Sequence, residues 1–106
     1  MDTMSSVPAL WKPNGTPQRL VGLSVVKSIK LDPTSQGMYI QVRGASVYMT
    51  MDGATNPVVG GNDLGFELFI TSLPILLVAP PGTEFRFLQT TTSAIIQYQQ
   101  VTLAGR

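Results

Sequence analysis

From Arg19 onward, apolar side chains recur at every second position in short runs, the period of a strand with one face in a core and the other in water. In the first run Val21, Leu23, Val25, Ile29 and Leu31 share a face, opposite Gly22, Ser24, Ser28 and Lys30, which predicts one long half-buried strand. Lys27 interrupts the apolar face and marks an edge, a bulge or a stretch reaching solvent. Asp32-Pro33-Thr34-Ser35-Gln36-Gly37 then supplies turn chemistry. Met38, Ile40 and Val42 alternate against Tyr39, Gln41 and Arg43. After Gly44-Ala45 the pattern resumes with Val47, Met49 and Met51 against Ser46, Tyr48 and Thr50. Phe66, Leu68 and Ile70 follow, and Ile75-Leu76-Leu77-Val78, bounded by Pro74 and Pro80, predicts a short buried strand. Phe85 and Phe87, then Ala94, Ile96 and Tyr98, complete the series. No run carries helical periodicity, so the predicted fold is all-β, a single antiparallel β-sandwich or jelly-roll-like barrel. Its predicted core is Val21, Leu23, Val25, Ile40, Val42, Val47, Met49, Leu68, Phe85, Phe87 and Ile96.

Two segments break the alternation. Pro8, Pro13 and Pro17 fix φ and push their predecessors toward extended geometry, so residues 1–18 read as an extended arm ahead of a domain over 19–106. Leu10 and Trp11 are its apolar members. Trp11 either anchors the arm on a neighbour or folds back onto its own domain. The second segment, Asp52 to Gly65, is rich in Gly, Asn and Asp and predicts a long loop that Asp52-Gly53 turn chemistry positions. Asp52, Gly53, Asn56, Pro57, Val58 and Val59 are its candidate contact residues. Asp52, Asn56, Asn62 and Asp63 are hard oxygen donors that fit either a calcium site or ordinary turn bonding, and their spacing does not match an EF-hand loop.

Composition narrows the chemistry. The 106 residues include neither His nor Cys, and only 12% are charged. The commonest acid–base group near neutral pH, the strongest side-chain nucleophile and the soft metal ligands are therefore missing, which points away from catalysis and from any cofactor. No phosphate-binding glycine motif occurs, and seven basic residues against six acidic ones are scattered along the chain. Arg43, Tyr48, Arg86 and Tyr98 could converge on one sheet, a thin basis for nucleic-acid binding, so none is expected. The most apolar stretch, Phe66 to Pro80, contains Glu67, Thr71, Ser72 and Pro74 and falls short of the ~20 residues of a membrane span. Met1 to Ser6 lacks a basic start followed by an apolar run, so no targeting segment is expected.

One resemblance extends over residues 38–98. Its parts are Gln41-Val42-Arg43-Gly44-Ala45-Ser46-Val47-Tyr48, Met51-Asp52-Gly53-Ala54-Thr55-Asn56-Pro57, Gly65-Phe66-Glu67-Leu68, Phe85-Arg86-Phe87-Leu88-Gln89 and Ala94-Ile95-Ile96-Gln97-Tyr98. This order resembles small β-rich virion proteins of tailed bacteriophages, in which a V-x-G-A-x-V strand leads to a D-G-x-x-P turn, a glycine, an apolar strand and a closing V/I-x-Y strand. The resemblance implies a non-enzymatic structural part assembled in the host cytoplasm. The implied function is capsid decoration (cement), or a head or neck accessory. Its implied partners are the major capsid protein or other virion proteins, and it implies a homo-oligomer, with a trimer favoured because cement proteins sit on local threefold positions. A receptor- or carbohydrate-binding module of a neck, tail or fibre is the alternative.

Overall fold

Alternation translates into nine strands and no helix over residues 10–104, which the computed structural model describes. In chain order they are β1 (Trp11–Pro13), β2 (Gln18–Leu20), β3 (Lys27–Lys30), β4 (Gly37–Arg43), β5 (Val47–Thr50), β6 (Phe66–Leu68), β7 (Ile75–Val78), β8 (Glu84–Gln89) and β9 (Ile95–Leu103). Two antiparallel sheets result. The first runs β1-β9-β4-β7, with β2 also paired to β9, and the second runs β3-β8-β5-β6. Their facing sides bury Met38, Ile40, Val42 and Ile96 from the first sheet against Ile29, Val47, Met49, Phe85 and Phe87 from the second. Cross-strand register stacks Val42 beside Ile96 and Met49 beside Phe87, and the Phe85 and Phe87 rings lie 6.5 Å apart. Each fully buried side chain of this kind stabilises the fold by roughly 1.5–3 kcal/mol.

The long first strand does not form. Its residues divide between β2 on the first sheet and β3 on the second, and 21–26 cross from one sheet to the other. A crossing segment cannot keep one face inward. Leu23 is therefore fully buried while Val21 and Val25, both predicted core residues, are exposed. β3 is an edge strand, which accounts for Lys27 in it. Leu68 is half-buried on β6, and Met51 lies beyond the end of β5 and is exposed. β7 is not the buried strand its apolar run predicted. It lies at the edge of the first sheet, half-buried, with Val78 65% exposed.

Residues 1–9 of the predicted arm lie outside the described residues. The rest of it is extended, as the prolines require, and is a strand of the domain's own sheet: Trp11, Lys12 and Pro13 pair with Leu103, Thr102 and Val101 of β9. Trp11 is half-buried there. Asn14 Nδ2 donates to Ser35 Oγ at 2.7 Å, and Gln100 Oε1 accepts from Ser35 Oγ and from Asp32 N. Ser35 is completely buried, so this network both satisfies it and ties the start of the chain to the 32–36 turn.

Candidate interaction surface

The Asp52 to Gly65 loop is held at three levels. At its base the Asp52 carboxylate accepts from Thr55 Oγ1 at 2.6 Å, Thr55 N at 2.8 Å and Ala54 N at 3.0 Å, an Asx turn. Arg86 of β8 clamps the same base from the sheet. Its guanidinium donates to Gly53 O, Ala54 O and Asn56 Oδ1 at 2.8–3.0 Å and to Glu84 at 2.8 Å. Midway, Val58 and Leu64 exchange backbone hydrogen bonds. At the tip Asp63 accepts from Gly60 N and from the Tyr48 hydroxyl, an interaction that pushes the Tyr48 pKa up. Such a loop is preorganised, so little entropy is lost when a partner covers it.

The three hydrogen bonds from Thr55 and Ala54 hold the Asp52 pKa at about 2, well below the ordinary carboxylate range, with the Thr55 hydroxyl as the largest cause. A depressed folded-state value means that the turn's contribution is complete above the unfolded value of about 4 and disappears as the pH falls toward 2. NMR titration of the Asp52 carboxyl carbon is expected to give a midpoint near about 2. A midpoint at the ordinary aspartate value would mean that the turn is not held as described.

Among the predicted contact residues, Asp52, Asn56 and Val58 are exposed, Gly53 and Val59 half-buried and Pro57 buried. Leu10, 62% exposed, precedes β1 on the first sheet, and the loop issues from the second. No hydrogen bond joins the two groups among the described residues. Three of the four oxygen donors of the calcium alternative are engaged in holding the loop: Asn56 faces a guanidinium, and Asp52 and Asp63 bind Thr55, Ala54, Gly60 and Tyr48. Arg43 and Tyr98 lie on the first sheet and Tyr48 and Arg86 on the second, so the nucleic-acid quartet does not converge on one sheet.

Beside the loop lies a groove of about 370 Å³ lined by Met49, Thr50, Met51, Asp52, Thr55, Leu64, Gly65 and Phe66. Apolar exposure continues from it along the chain. Phe66 is 66% exposed and Phe69 67%, followed by Ile70 and then by Leu73 at 73%. Alternation assigned Phe66 and Ile70 to an inward face. β6, however, is a three-residue edge strand, and the chain beyond it crosses between sheets. The Glu84-x-Arg86 spacing, which puts both charges on one side of a strand, was the available sign of the Arg86 clamp.

A second concavity, about 420 Å³, lies over the outer face of the first sheet, between Pro17 and Pro74, with Arg19, Tyr39, Gln41, Gln97 and Gln99 along it. No family model, curated protein or solved structure matches the chain.

Proposed function

We propose that this chain is a non-enzymatic structural protein of a bacteriophage virion, a capsid decoration protein that binds the major capsid protein in many copies. The observation that carries the reading is the apolar band from the loop groove through Leu73. Four large side chains, Phe66, Phe69, Ile70 and Leu73, are 57–73% exposed in a 106-residue chain, a surface that repeated contacts would cover. Strand order supports it. In this reading the sheets, β1-β9-β4-β7 with β2 also on β9 and β3-β8-β5-β6, are the two halves of a jelly-roll sandwich, an architecture that capsid and lectin domains use. The preorganised loop beside the band supports a rigid contact. In this reading Leu10 is the apolar contact that remains of the predicted pair, because Trp11 is engaged with β9. The favoured trimer rests on the resemblance, since nothing in a single sandwich selects three copies over two.

The experiment is copy number in purified particles together with a Phe66→Asp variant. Phe66 is mostly exposed, so folding should be unaffected while occupancy drops by about tenfold or more, the effect of a charge in an apolar contact. Hundreds of copies per particle are expected. Absence of the chain from particles, or full occupancy by Phe66→Asp, would overturn the reading. The outer groove, where Tyr39 and four glutamines offer an aromatic face and amides to hydroxyl groups, favours a second reading as a carbohydrate-binding neck or fibre module. A few dozen copies or fewer per particle, together with glycan binding that Tyr39→Ala abolishes, would select it.

A further inference from the structure

The sheet edges differ in how they are protected. An open edge presents unpaired N–H and C=O groups to any other strand, and proteins blunt such edges with charge, proline or short length. β1 carries Lys12 and Pro13, β2 carries Arg19, and β3 carries Lys27 and Lys30. β6 has only three residues and carries Glu67. β7 carries nothing of the kind: it is Ile75-Leu76-Leu77-Val78. Among the described residues, no hydrogen bond reaches its outer side.

We propose that this edge is the joint between two copies of the chain, in which β7 pairs antiparallel with β7 of a second copy and the first sheets become continuous across a twofold axis. The ladder determines which groups are available. Ala79 N donates to Gln36 O, so alternation along the β4 register turns the N–H and C=O of Ile75 and Leu77 inward and those of Leu76 and Val78 outward. A twofold axis normal to the sheet keeps the outer face outward and so pairs residues of like facing. Two registers centred inside the strand satisfy this. Centring on Leu76 sets Pro74, which has no N–H, opposite Val78. Centring on Leu77 sets Leu76 opposite Val78, so that the four outward groups of each copy meet their complements, and both flanking prolines fall outside the paired row. In that register the exposed Val78 is covered by Leu76, and Ile75 meets Ala79 on the core side. The edge is complementary to itself, and this is the argument for a second copy over an unrelated extended peptide.

The inference concerns association in solution and stands or falls apart from the virion reading. The test is sedimentation equilibrium of the full chain, of Val78→Lys and of Val25→Lys, which adds the same charge to the exposed 21–26 crossing segment. Wild type and Val25→Lys are expected to dimerise, and Val78→Lys to associate about tenfold or more weakly, the scale of a buried interface residue lost. The chain has no cysteine, so Leu77→Cys supplies a separate readout. Directly opposed, non-hydrogen-bonded residues sit about 4.5 Å apart at Cα, within disulfide range, and an oxidised covalent dimer is expected. A monomeric wild type, a Val78→Lys variant that associates as wild type does, or a Leu77→Cys variant that does not cross-link would each overturn the proposal.

Discussion

Phe87→Ala is expected to cost about 3–5 kcal/mol, the upper end of what a single truncation in a core of this kind removes. The ring is fully buried at the middle of the second sheet, paired with Met49 on one side and Lys27 on the other and beside the Phe85 ring. Truncation removes transfer free energy and leaves a cavity. Strands held in ladders on both sides cannot collapse into it. A domain of this size has about 5–15 kcal/mol in total, so the variant would be close to its unfolding threshold. Urea denaturation should show the midpoint falling with an unchanged slope. Phe66→Ala is the internal comparison: with its ring 66% exposed it should change stability by about 0.5 kcal/mol or less. A loss below about 1 kcal/mol for Phe87→Ala would mean that its ring does not face the core.

Gly44→Ala is expected to destabilise by about 2–3 kcal/mol for two reasons that act together. Gly44 leaves β4 on the first sheet with φ +84°, and within three residues the chain has entered β5 on the second. A Cβ there would meet the left-handed penalty and would also collide with the carbonyl oxygen of Ser93. Backbone sits on both sides of that contact, so no side-chain rotation relieves it. Gly60→Ala separates the two effects, since φ is +91° at the loop tip and no heavy atom lies within 4 Å of an added Cβ. It should cost only about 1–2 kcal/mol, the backbone penalty alone. Equal losses at the two sites in thermal or chemical denaturation would mean that the Ser93 approach contributes nothing.

The candidate surface was partly legible. Asp52-Gly53 turn chemistry and the Gly- and Asn-rich composition after it marked the loop, because turn residues act through bonds to their own backbone neighbours. The Glu84-x-Arg86 spacing marked only the local half of the Arg86 clamp, since its loop partners Gly53, Ala54 and Asn56 are some thirty residues away in sequence. Phe66 and Ile70 fit an inward face by alternation as well as Ile40 and Val42 do. What separates the pairs is that β4 lies between two neighbours, whereas β6 is at an edge and the chain after it leaves the sheet.

Local chemistry in the sequence by itself determined the class of this protein: period-two alternation, prolines and turn residues commit the chain to short strands, and most of the predicted core follows from that. Sheet membership was left to the tertiary structure. A strand's inward face is defined only by the sheet that it joins. The run from Val21 to Leu31 therefore divides between two sheets, exposing Val21 and Val25 and burying Leu23, and the apolar Ile75–Val78 becomes an open edge. These outcomes depend on pairings between residues far apart in the chain, and a local period carries no information about them.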